Sequence, residues 1–122
     1  QREHMTFKTS AARRSLIAAA VLFAATLPLA SARAEDSVFT LTIKDHMFTP
    51  STLEVPAGQR IKLVVENKDS TTEEFESNVM HVEKIVGGNK TITVMVGPLD
   101  PGSYEFFGEF HEDTAQGVLV AR

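Results

Sequence analysis

The chain has no cysteine and no tryptophan. Without a thiol there is no cysteine nucleophile, iron–sulfur cluster, zinc finger, lipidated N-terminal cysteine or disulfide. A folded domain must then be held by packing, unless a bound ion contributes. Segments with the period of a helix are also missing. The glycines build no phosphate-cradling loop, and no serine has a histidine and an aspartate at a recognisable spacing. Apart from eight phenylalanines the only aromatic is one tyrosine, Tyr104.

One long apolar run is present, Leu16 to Ala30. It follows Met5 and the basic residues Lys8, Arg13 and Arg14, and it precedes the small-residue pattern Ala32-Arg33-Ala34. That is the layout of a secretory signal peptide. Thr26 and Pro28 interrupt the run, which falls short of the about 20 apolar residues a spanning helix needs. The expected division is a signal peptide with a short upstream extension over residues 1–34 and one small domain over residues 35–122. The expected location is the periplasm, with no membrane insertion once mature.

Cleavage after Ala34 removes five of the 12 basic residues and one of the 16 acidic ones, leaving 88 residues with a balance of −8. Such a surface repels nucleic acid and anionic membrane and concentrates cations. A metal ion or a basic protein is the partner this charge favours. Two glutamates could in principle work as a glycosidase pair, but 88 residues leave little room for a sugar cleft.

Short alternating segments separated by turn residues predict an all-β domain. Phe39, Leu41 and Ile43 alternate with polar neighbours, as do Ile61, Leu63 and Val65. Strands are also expected at Thr52–Val55, from about Glu74, around His81–Val86, at Thr91–Val96, at Tyr104–Gly108 and at Val118–Ala121. The breaks fall at Pro50, Pro56-Ala57-Gly58, Gly87-Gly88-Asn89 and Pro98 to Gly102. Seven or so strands in one small domain argue for a Greek-key β-sandwich of two sheets. The run from Asp100 to Phe106 mimics the approach to the second cysteine of an immunoglobulin domain, but the cysteine pair and core tryptophan of that family are missing.

Four stretches together resemble the cupredoxin-like family: Asp45-His-Met-Phe-Thr-Pro50, Leu53-Glu-Val-Pro-Ala-Gly58, Asn67 with the Glu73-Glu74-Phe75-Glu76 strand, and Pro101 to His111 closing through Gly117-Val-Leu-Val120. In that family a blue-copper site takes an upstream histidine, then a cysteine, a histidine and a methionine from the closing loop. Here the cysteine position is Gly108, the histidine is kept as His111, and the methionine position is Ala115. The upstream histidine falls on Glu73 or Glu74, a register of one residue that the sequence leaves open. A blue-copper carrier is therefore not expected, and carboxylates in place of sulfur move a site from Cu(I) toward Fe, Cu(II), Mn or Zn.

With these replacements the chain looks like the cupredoxin-like periplasmic component of bacterial ferrous-iron uptake. That resemblance implies an iron or copper ion as cofactor, possession of a periplasmic partner protein and a membrane iron permease as partners, and oxidation or hand-over of iron. The candidate metal ligands are His111, Glu74, Glu76, Glu109 and His46. His111 holds the surviving ligand position, and Glu109 lies two residues before it. Glu74 and Glu76 share one face if the strand alternates, with Phe75 on the other; the plain alternative is a solvated acidic edge. Glu73, Glu74, Glu76 and Glu83 repel one another within eleven residues, which a cation would relieve. His46 stands beside Asp45 in a strand-end loop, where it either caps a turn or reaches the site. Phe106, Phe107 and Phe110 are expected as core and site walls, and Met95 as packing. Two other functions stay open: a copper-binding or copper-resistance protein using Met80, His81 and His46, and a metal-free sandwich that binds a basic protein.

Overall fold

The structure is a computed structural model that describes residues 18–28 and 36–122. The chain divides into two units, Gln1–Ala32 and Arg33–Arg122. In the first, residues 18–28 form neither helix nor strand. The basic residues ahead of them and the Ala32-Arg33-Ala34 pattern lie outside the described residues. No helix among the described residues is long and apolar enough to cross a membrane.

The second unit is built from nine strands: β1 (Ser37–Lys44), β2 (Met47–Thr49), β3 (Thr52–Val55), β4 (Ile61–Asn67), β5 (Glu73–Ser77), β6 (Val82–Val86), β7 (Thr91–Val96), β8 (Gly102–Gly108) and β9 (Gln116–Ala121). A single 3₁₀ turn, η1 (Glu109–His111), follows β8. One sheet has the order β2-β1-β4-β7 and the other β3-β9-β8-β5-β6. The all-β sandwich read from the alternation is the observed architecture, and both sheets are mixed, with β1 parallel to β4 and β3 parallel to β9. Residue alternation accounts for the two-layer packing: Ile61, Leu63 and Val65 of β4 are fully buried while the residues between them are half-exposed.

The two sheets meet on a common core. Leu41, Ile43, Leu63 and Val65 face Phe75, Val86, Phe106 and Leu119. Phe48 of β2 stands edge-on to both Phe75 and Phe106, with ring centroids 5.9 and 5.0 Å away. Burying each such ring stabilises the fold by about 1.5–3 kcal/mol, and this cluster lies under the end of the sandwich that carries β2, β5 and η1. Two apolar expectations are corrected. Phe110 is 49% exposed in η1 instead of packed, and Met95 is exposed because edge strand β7 turns Val94 and Val96 inward.

Strand β2, not anticipated from the sequence, makes a tight hairpin with β1. Lys44 pairs with Met47, so Asp45 and His46 form the whole loop, with φ of 52° and 57°. That is the mirror-image two-residue turn whose twist suits a hairpin. It places two L-residues in the left-handed region, which Asp and His tolerate better than most residues.

Candidate metal centre

Three segments far apart in the chain converge at one end of the sandwich. The β1–β2 turn brings His46, the first residue of β5 brings Glu73, and η1 brings His111. Donor atoms of the three lie within 4.8 Å of one another, and they are the one such group of three among the described residues.

Glu73 is at the centre. Because β5 alternates, Glu73, Phe75 and Ser77 all point inward, and Glu73 is only 1% exposed. Its carboxylate is held by the protein itself. Oε1 accepts the backbone N–H groups of Phe110 at 2.9 Å and Glu74 at 3.1 Å, and Oε2 lies 2.5 Å from Nδ1 of His111. A buried carboxylate needs such donors, since an unpaired one would cost several kcal/mol. With Glu73 ionised, Nδ1–H of His111 donates to it and leaves Nε2 with the free lone pair. The ring of His46 stacks on that of His111, centroids 3.6 Å apart and 13° from parallel.

The four positions compared with a blue-copper site are neighbours in space. A Cβ on Gly108 would stand 2.6 Å from Cδ of Glu73 and 2.7 Å from Cβ of Ala115. The Glu73 carboxylate therefore occupies the volume a side chain at 108 would need, and the register is settled on Glu73. Two imidazoles and a carboxylate are donors of borderline and hard character, suited to Fe(II), Cu(II) or Zn(II) more than Cu(I).

The expected ligands thus sort into two groups. His46 and His111 come together around Glu73. Glu74, Glu76 and Glu109 stand outside with Glu83, on the other face of the β5–β6 hairpin, where Glu76 lies directly opposite Glu83. There the carboxyls crowd one another, which favours their protonated forms. Glu76 is pushed up to about 7, first by a hydrogen bond to Glu109, then by burial and by the charges of Glu109, Glu83 and Glu74. Glu74 is raised by a hydrogen bond to Glu83, by burial and by neighbouring charge. The alternation that sends Glu74 and Glu76 outward is the signal that marks Glu73, two residues before Phe75, as the inward carboxylate. Met80 and His81 lie apart from this group: Met80 packs against the core with its N–H on Ser77 Oγ, and His81 is exposed in a turn.

Residues 15–121 match the family described as the cupredoxin-like domain. The chain belongs to the cupredoxin-like domain family. A relative of this cupredoxin-like chain, the uncharacterized protein RP394 of Rickettsia prowazekii (strain Madrid E), is 51% identical over 80 residues, 66% of this chain and 64% of that protein. The cupredoxin-like chain thus matches a little under two thirds of that relative's length. Among solved structures it is similar to auracyanin A, a "blue" copper protein from Chloroflexus aurantiacus, with a TM-score of 0.61, 15% identity and coverage of 71% of this chain and 99% of that one. It is also similar to a purple cupredoxin from Nitrosopumilus maritimus, with a TM-score of 0.54, 15% identity and coverage of 71% and 100%. At these identities the likeness speaks for the fold.

Proposed function

We propose that this cupredoxin-like protein binds a hard or borderline transition-metal ion, iron or Cu(II), through the imidazoles of His46 and His111, with Glu73 orienting His111 and balancing the ion's charge, and that it supports iron uptake outside the inner membrane. The observation that carries the reading is the convergence of these three donors at the end of the sandwich. The fold family supports metal binding, and the replacement of sulfur positions by Gly108 and Ala115 supports an ion that prefers oxygen and nitrogen.

In this reading the protein is exported, and a membrane iron permease and a periplasmic partner protein receive the ion. Hard, negatively charged oxygen favours Fe(III) over Fe(II), so Fe(II) bound near it is made easier to oxidise; its one electron goes to dioxygen or to Cu(II). The chain's own contributions are separable. Glu73 fixes the ring of His111 and brings one negative charge, His111 and His46 offer nitrogen, and the acidic face of Glu74, Glu76, Glu83 and Glu109 raises the local concentration of cations.

The test is titration of the full chain with Fe(II), Cu(II) and Cu(I), with Fe(II) oxidation in air followed against a protein-free blank. Tight binding of one Fe(II) or Cu(II), lost in His111→Ala, is the expected result. A chain whose melting temperature no ion moves would end the metal reading, because a ligand of the native state must raise stability. Oxidation at the blank rate would leave binding and delivery alone.

A further inference from the structure

A further side chain, Asp69, reaches His46 from outside the three-residue group, with Oδ2 3.6 Å from Nδ1 of the His46 ring. Asp69, in the loop between β4 and β5, turns its carboxylate onto the β1–β2 turn. Oδ1 accepts the backbone N–H of Asp45 at 2.9 Å, and Oδ2 accepts that of His46 at 3.0 Å. Both donors belong to the two residues whose φ is positive. The left-handed conformation costs an L-residue about 1–2 kcal/mol, and two charge-assisted bonds to one carboxylate help to offset it. The same bonds hold the Asp69 carboxyl below its usual range; the one from His46 has the largest effect, and burial opposes it.

Asp69 is itself fixed to the core. Its N–H donates to Oδ1 of Asn67 at 3.0 Å and its carbonyl accepts the N–H of Asn89 at 2.8 Å. Asn67 is 2% exposed, and its amide nitrogen donates to the carbonyls of Thr71, Val86 and Gly87. A continuous path of hydrogen bonds therefore runs from the buried Asn67 through Asp69 to the backbone of His46, and ends where the His46 ring lies on His111.

We infer that Asp69 is the positioning residue that makes His46 a metal ligand: by clamping the Asp45-His46 turn it holds the second imidazole at the site, and without it the site binds through His111 alone, still oriented by Glu73. This rests on the metal reading of His46, Glu73 and His111 given above.

Cu(II) is the probe, with pulsed EPR counting coordinated imidazoles and a competition titration giving affinity. Wild type is expected to show two imidazoles, and Asp69→Ala one, with affinity weakened about tenfold or more. In a His46→Ala background the same Asp69→Ala change is expected to alter affinity no further, since the path ends on a ring already removed. A clamp that only stabilises the fold would act equally in both backgrounds. Asp69→Asn keeps one acceptor oxygen and is expected to fall between; if Asp69→Ala does not fold, the Asn variant in the two backgrounds gives the same comparison. Two imidazoles at wild-type affinity in the Asp69 variant, or an equal loss with and without His46, would overturn the inference. A wild-type complex without any imidazole would instead end the metal reading, and this inference with it.

Discussion

Gly108 lies directly against Glu73, so close that a single added carbon on the glycine would meet the carboxylate carbon at 2.6 Å. The two residues are one solution to one volume: a carboxylate on β5 is accommodated because its neighbour at the end of β8 has no side chain. Gly108→Ala is expected to destabilise the domain by about 1–3 kcal/mol through overpacking. The companion variant Glu73→Ala should make the added methyl less costly, giving a favourable coupling of about 0.5–3 kcal/mol in the double-mutant cycle. Urea midpoints of the four proteins measure it, and strict additivity would mean that the two side chains do not compete.

Glu73→Gln changes one oxygen into an amide nitrogen. If the remaining oxygen keeps the N–H groups of Phe110 and Glu74, the amide N–H₂ faces Nδ1 of His111. That nitrogen must then accept, the ring proton moves to Nε2, and the free lone pair is lost to the metal. The expected outcome is Cu(II) affinity lower by about tenfold or more, with a loss of about 1–3 kcal/mol of stability from the poorer buried bonds. Calorimetric titration and thermal melts read the two effects separately; an unchanged affinity would remove Glu73 from the site.

The acidic face has its own pH signature. Glu76 titrates at about 7 in the fold, above the ordinary 4.5, so the folded chain holds more protons than the unfolded one between those values. The stability this pair contributes is complete below the ordinary carboxylate range and is lost as pH rises through about 7. Glu109→Gln removes the charge it meets and should bring the Glu76 midpoint down toward its ordinary value while flattening this fall. Side-chain carboxyl NMR titration would show it, and a midpoint unmoved by the substitution would mean that Glu109 is not the cause.

Asn67 makes every one of its side-chain bonds to backbone, donating to Thr71, Val86 and Gly87 and accepting from Asp69. Its replacement by alanine takes a donor from the buried carbonyl of Val86 and the acceptor from the N–H of Asp69, while Gly87 keeps the N–H of Lys90; each group left unpaired costs about 1–3 kcal/mol. The expected result is a marked fall in melting temperature, larger than that of Asp69→Ala. A fall of similar size in both would place the strength of this corner in the turn instead of in Asn67.

Much of this was readable from residue order. The alternation of Phe39, Leu41 and Ile43, and of Ile61, Leu63 and Val65, gave two central strands, because one buried face leaves a period of two. The same rule applied to Phe75 placed Glu74 and Glu76 on the outer side, yet it equally put Glu73 inside, and the open register hid that consequence. β2 escaped notice because its three residues are too few to show a period; only pairing with β1 defines it. Phe110 looked like core by composition, but a 3₁₀ turn has no buried face there. The repulsion among the outer glutamates was visible as charge in sequence, while the upward push of Glu109 on Glu76 needed the hairpin and η1 to be side by side.

His46, Glu73 and His111 are drawn from the beginning, the middle and the end of the folded unit, the last two alone standing 38 positions apart. On the proposed metal reading, ion capture is tied to completed folding: a growing or partly opened chain lacking η1 holds no assembled pair of imidazoles, so it would neither trap cargo prematurely nor retain it after losing its shape. Release could then be driven by loosening one corner, without dismantling the sandwich.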